Sequence, residues 1–208
     1  MRLWRPHEST RPIAEDSASP PHTRPITALA ANDRFGASAS LDTTVKLWDM
    51  HTLSCTTTLL GHPNSVLSLA TTAHSRMLAS GDRSGNVYLW DSRTCAPIGR
   101  VSLSGAPAGE RSASQFGGRA AVKALAIQHC ALFAAGHVDG TVRVWDLRRL
   151  HQTDGAPFTL LHRPRHRYTD LSPPTARVCS LVVSSCGRKL ATGDEAGRLV
   201  LFEQPRDW

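Results

Sequence analysis

His22, Ser38 and Asp42 are the residue types of a base, a nucleophile and the acidic group that orients the base. Brought together by a fold, they would form the triad of a serine hydrolase. Two features of the sequence argue against that chemistry. No glycine-rich nucleophile elbow surrounds Ser38. Part of the same trio also returns downstream as His62 and Ser80, and repetition points to a structural role rather than a reaction centre. Metal chemistry fares no better. His162 and His166 share a His-x-x-x-His spacing, but Cys179 and Cys186 beyond them stand seven apart, where zinc pairs fall at two to four. There is no phosphate-binding glycine loop. The expectation is a non-enzymatic chain with no catalytic residues, metal or cofactor.

The elements that would position such residues follow from composition and repetition. The chain has 208 residues, 40% hydrophobic and 20% charged, an ordinary globular balance. No run approaches the ~18 apolar residues of a membrane helix, and no signal-peptide core follows Met1-Arg2-Leu3-Trp4-Arg5-Pro6. Neither a membrane span nor secretion is expected. Five cysteines (55, 95, 130, 179, 186) make an odd set without Cys-x-x-Cys, which suits a reducing compartment, cytoplasm or nucleus. The net charge is +7, and +4 of it lies between Arg148 and Arg177.

Three Trp-Asp pairs punctuate the chain: Trp48-Asp49, Trp90-Asp91 and Trp145-Asp146, with Phe202-Glu203 in the fourth place. Each closes a segment of one shape, the first running from Ala37 to Trp48 and the last from Leu190 to Phe202. Upstream of each lies a second block, Ile26–Ala30, Val66–Ala70, Val122–Ala126 and Val178–Val182, whose alternation is that of a half-buried strand. The closing aromatics are spaced 42, 55 and 57 residues apart. The first interval is the ~40–45-residue unit of a four-stranded propeller blade, and the others fit it with loop insertions of about a dozen residues.

From His22 to Phe202 the chain therefore resembles the WD-repeat β-propeller family. The resemblance implies an all-β fold, a partial arc of about four four-stranded blades, open or completed by missing or partner blades. The blades are expected over approximately 22–61, 62–104, 121–161 and 176–208, after a remnant of a preceding repeat plus linker over 1–21. Insertions fall near 104–121 and 162–176. The resemblance also implies a buried hydrogen-bond relay in each blade: a His ahead of the first strand, Ser or Thr in the second, Asp in the next turn and the closing Trp. Repeat one supplies His22, Ser38, Asp42 and Trp48. Repeat two supplies His62, Ser80 and Trp90, with Ser84 in the place of the Asp. Repeat three keeps Asp139 and Trp145 but has Gly118 and Ala135. Repeat four retains Thr192, with Pro174, Ala196 and Phe202 elsewhere. Buried polar atoms without partners cost ~1–3 kcal/mol each, so blade stability is expected to fall from first to last.

Family propellers close with about seven blades over some 300 residues. Met1–Trp4 looks like the last strand of a preceding repeat, and the chain stops six residues after Phe202. Three readings follow: part of a longer propeller, an arc completed by a partner or a second copy, or a closed small ring in which Thr10–Ala14 supplies the outer strand of the last blade. Self-association through open edges belongs to the second.

Function is expected on the loops. Both insertions join a fourth strand to the next first strand and open onto one face. There His162-Arg163-Pro164-Arg165-His166-Arg167-Tyr168 suits an acidic or phosphorylated protein segment, because arginine forks pair with carboxylate and phosphate. Only Tyr168 offers a base-stacking ring, so nucleic acid is the weaker partner. Ser19-Pro20 and Ser172-Pro173 suit proline-directed phosphorylation. The resemblance implies a non-catalytic protein-interaction scaffold in a multiprotein complex. Its alternative implication is a substrate receptor of a cullin-type ubiquitin ligase, whose Trp-Asp-x-Arg pattern is matched by Trp90-Asp91-Ser92-Arg93 and Trp145-Asp146-Leu147-Arg148.

Overall fold

The computed structural model describes residues 2–3, 14–15, 20–52, 54–73, 76–102, 121–128, 132–138, 140–146, 158–160, 177–184 and 189–203. All regular structure there is β. Two-residue strands β1 (Arg2–Leu3) and β2 (Ala14–Glu15) pair with each other. Thereafter every repeat folds as an antiparallel meander, the economical solution for consecutive strands joined by tight turns.

The first blade holds β3 (Ile26–Ala31), β4 (Phe35–Ser40), β5 (Val45–Asp49) and β6 (Cys55–Leu59) in that order. The second holds β7 (Val66–Thr71), β8 (Met77–Asp82), β9 (Asn86–Asp91) and β10 (Pro97–Ser102). The third holds β11 (Val122–Gln128), β12 (Leu132–His137), β13 (Val142–Asp146) and β14 (Phe158–Leu160). The fourth holds β15 (Val178–Val183), β16 (Lys189–Asp194) and β17 (Leu199–Glu203). Two of these assignments correct the closed-ring reading. Residues 14–15 pair with β1, not with β17, and among the described residues β17 has no outer neighbour.

The repeat is exact down to backbone irregularities. The first strand of every blade carries a bulge after its first residue, at Thr27, Leu67, Lys123 and Cys179. An unpaired residue there bends and twists the strand next to its opening Ile or Val. Turns between second and third strands use a left-handed residue at one position: Gly85, Gly140 and Gly197, with φ of 88°, 80° and 77°. Blade one has Thr43 there, at φ 71°, where a β-branched side chain is strained.

Blades join by seating Val66, Val122 and Val178, the first residues of β7, β11 and β15, on the second strand of the blade before. The seat is Gly81 for Val122 and Gly136 for Val178. A Cβ on Gly81 would come within 2.6 Å of Val122 Cγ1, and one on Gly136 within 2.6 Å of Val178 Cγ1. Hydroxyls reinforce two junctions: Thr27 Oγ1 donates to the Val66 carbonyl at 2.6 Å, and Ser68 Oγ to that of Val122 at 3.0 Å. Apolar clusters accordingly run across blades rather than within them, joining Val45 and Leu47 to Leu78 and Trp90, for example. No such packing joins β15–β17 back to β3–β6 among the described residues. The arc is open.

Two outcomes test this geometry. Replacing Thr43 by Gly relieves a strained left-handed residue and raises stability by about 1 kcal/mol, read as a higher urea midpoint at unchanged slope. Replacing Gly81 by Ala drives a methyl into Val122 and lowers stability by about 1–3 kcal/mol in the same titration.

Candidate interaction face and its buried relays

Meander topology sends fourth-to-first connections and second-to-third turns to one end of every blade. The relay residues join these two kinds of loop. In blade one His22, just ahead of β3, stands beside the β4–β5 turn. The Trp48 indole N–H donates to Ser38 Oγ at 2.9 Å, and the Ser38 hydroxyl lies 2.8 Å from His22 Nε2. His22 Nδ1 lies 2.9 Å from Asp42 Oδ2. One donor sense satisfies every member: indole to hydroxyl, hydroxyl to Nε2, and Nδ1–H to carboxylate. Asp42 also accepts from the backbone N–H groups of Thr23 and Thr44 and from the Thr44 hydroxyl. Burial alone would raise its pKa, but the Thr44, His22 and Thr23 donors outweigh that and hold the carboxyl far below its usual range.

Blade two contains the same chain, and here the structure corrects the sequence reading. Trp90 Nε1 donates to Ser80 Oγ at 2.8 Å, and Ser80 Oγ stands 2.6 Å from His62 Nε2. The carboxylate on His62 Nδ1 is Asp82, at 3.2 Å, not a group at position 84. Side chains two apart on a strand share a face, so Asp82 at the end of β8 lies above Ser80 and reaches the histidine directly. Ser84 is exposed and accepts from Asn64 Nδ2. Asp82, wholly buried, also accepts from the Ser84 and Asn86 backbone and from Asn86 Nδ2. Its desolvation is outweighed by these His62 and Asn86 donors, and its pKa falls below the ordinary value. Tyr88 seals the relay: its ring stacks on Trp90 and meets His62 edge-on at 4.4 Å, and its hydroxyl donates to the Gly61 carbonyl. Arg100 lies over the outer face of Tyr88 and donates to Asn86 Oδ1. Sequence reasoning passed over Asp82, Asn86 and Tyr88. The available signal for Asp82 was the two-residue period from Ser80.

The other blades depart from this pattern. Trp145 is buried, but Ala135 offers it no hydroxyl, and His137 occupies the place of Asp82, fully buried. Asp139 lies outside the described residues. In blade four Thr192 is buried and Asp194 takes the Asp82 position, its Oδ1 accepting from the backbone N–H groups of Ala196 and Arg198. Relay completeness therefore does not decline step by step; blades one and two are both complete.

Exposed on the loop-bearing end are Arg24, Arg83 and Arg177, the last beside Glu195 at 3.6 Å. Arg93, in the β9–β10 turn, is exposed at the opposite end of the blade, its backbone N–H held by Asp91 Oδ1 at 2.8 Å. Arg148, Arg163, Arg165, Arg167 and Tyr168 lie outside the described residues. Among the described residues no three His, Cys, Asp or Glu side chains converge as metal ligands would.

Two family models match this chain. One, described as the TEP-1 C-terminal beta-propeller, covers residues 22–92, the two blades with complete relays. The other, the WD domain or G-beta repeat, covers residues 112–146. The chain belongs to the WD-repeat β-propeller family. Among curated WD-repeat relatives, mitochondrial division protein 1 of Aspergillus clavatus is 29% identical over 164 residues, 68% of this chain and 25% of that protein. The Aspergillus terreus protein of the same name is 35% identical over 101 residues, 46% of this chain and 15% of its own length. Human kinesin-like protein KIF21B is 28% identical over 149 residues, 67% of this chain and 9% of that protein. The chain thus spans a quarter or less of these relatives. A solved structure, the computationally designed Ika4 protein, superposes with a TM-score of 0.61 at 24% identity, covering 89% of this chain and 94% of that one. That likeness concerns the fold. WD repeats of this kind serve generally as scaffolds for protein interaction.

The relay predicts a signed pH dependence. A carboxylate whose folded pKa is lowered stabilises fully above its unfolded value of ~3.9, and that stability is lost as pH falls through the lowered folded value. Asp82→Ala costs about 3 kcal/mol at pH 7, because His62 and the turn donors lose a buried charged acceptor. The gap between wild type and variant narrows as the urea titration is repeated from pH 6 toward pH 2. Ser84→Ala changes stability by less than about 0.5 kcal/mol at either pH.

Proposed function

We propose that this WD-repeat arc is a non-catalytic interaction scaffold of the cytoplasm or nucleus that binds an acidic or phosphorylated protein segment on its loop-bearing face. The observation that carries this reading is the pairing of rigidity with charge at that end. The carboxylates of Asp42 and Asp82 pin the turns from below, and Arg24 and Arg83 stand exposed beside them. Binding groups on loops held by a rigid scaffold lose little freedom on association. The sequence between β14 and β15 adds three further arginines, Arg163, Arg165 and Arg167.

Charge reversal tests it. A fluorescent phosphoserine- and glutamate-rich peptide binds the wild-type chain with an affinity that drops as salt is raised. Changing Arg24 and Arg83 to Glu, or Arg163, Arg165 and Arg167 to Glu, weakens it at least about tenfold, roughly 1.4 kcal/mol. Equal affinity in both variants would discard the reading.

The ligase-receptor reading has one observation in its favour, the exposure of Arg93 at the other end, where a docking surface would be separate from the first. It expects the ligase adaptor to co-purify with the wild-type chain and to be lost from the Arg93→Ala, Arg148→Ala double variant.

A further inference from the structure

The two ends of the arc expose the two halves of the junction that holds its interior together. At the leading end Ile26 occupies the position of Val66 and Val122. Those valines are 0% exposed on the blade before them, whereas Ile26 is 55% exposed. At the trailing end Leu199 occupies the position of Val45 and Val87, which are 0% and 1% exposed beneath the following blade, whereas Leu199 is 71% exposed. Each interior pair shares an apolar cluster: Val45 with Val66, Val87 with Val122, Val142 with Val178. Gly193 stands in register with Gly81 and Gly136, the seats of Val122 and Val178, yet an added Cβ there would meet only Ser180, at 3.8 Å. Ser180 in turn stands where Ser68 donates to the carbonyl of an incoming valine, and it is exposed.

We infer that a second copy of this chain completes the propeller, its Ile26 seated over Gly193 and against Leu199 and its Ile26 carbonyl facing the Ser180 hydroxyl. The reciprocal junction forms at the other ends, so two four-blade arcs close an eight-bladed ring with a two-fold axis. Eight blades lie within the range that propellers adopt, and a heterologous junction that closes after two copies leaves no further edge to grow from. The contact repeats the internal junctions position for position, with Ile26 and Leu199 in the places that valines hold inside the arc. This pairing is independent of the acidic-segment reading above, since it uses blade faces and not the loop-bearing end.

The test is made on the whole 208-residue chain by light scattering and sedimentation. The wild type runs at twice 22.5 kDa. Ile26→Asp and Leu199→Lys, both at positions exposed in the single chain, retain their β circular dichroism and run as monomers. Mixed in equal amounts the two variants return to the dimer mass, because one junction of the mixed ring is wild type and the other joins Asp to Lys. A monomeric wild type would overturn the inference and assign the open ends to blades of a longer chain. Loss of the dimer in only one variant would overturn it in favour of like-with-like pairing. Open-ended assemblies larger than a dimer would overturn closure.

Discussion

A chain of hydrogen bonds from a buried indole through a hydroxyl and an imidazole to a carboxylate ties the two loops at one end of each complete blade. Antiparallel ladders hold strands to their neighbours, but they do not determine how a connecting loop sits over a turn. In blades one and two the Trp–Ser–His–Asp relay does so, with each buried polar atom satisfied by the next. A partly satisfied network in a low-dielectric interior is worse than none, so its members must be present together. The two solutions differ in where the acid stands, in the turn at Asp42 or at the strand end at Asp82. What is kept is the acceptor at His Nδ1, not the residue number.

Packing between blades follows a second rule that the relay leaves free. Each blade offers a small residue on its second strand and receives the first aliphatic residue of the next blade's inner strand. Glycine is required at 81 and 136 because the valine methyls come closer than any Cβ would allow. The bulge just after the contacting residue recurs in all four blades, which makes the junction a property of the repeat and not of a particular pair. Stability of such an array is a sum of blade and junction contributions.

Much of this was legible in the sequence. The Trp-Asp spacing and the alternation upstream of it located the blades, and the third strands end on the acidic residue after each closing aromatic, at Asp49, Asp91, Asp146 and Glu203. His22, Ser38, Asp42 and Trp48 came into hydrogen-bond contact as a set. Asp82 was not legible from counting back from Trp90, because counting assumes one turn geometry while the carboxylate can approach His62 from either side of the turn. Tyr88 read as an ordinary strand residue, since stacking on Trp90 depends on which face the register turns inward. Arg24 and Arg83 carried no motif, and only topology places them at one end. Thr43 gave no warning of its left-handed conformation except by alignment with Gly85, Gly140 and Gly197.

Nitrogen-15 NMR of the histidine rings reads the relay directly. His22 and His62 should each carry the proton on Nδ1, with Nε2 in the unprotonated, acceptor state. The indole N–H groups of Trp48 and Trp90 should exchange with solvent far more slowly than that of a solvated tryptophan. Protonation on Nε2 instead, or rapid exchange at both indoles, would contradict the chain of donors on which the rigidity of the loop-bearing face depends.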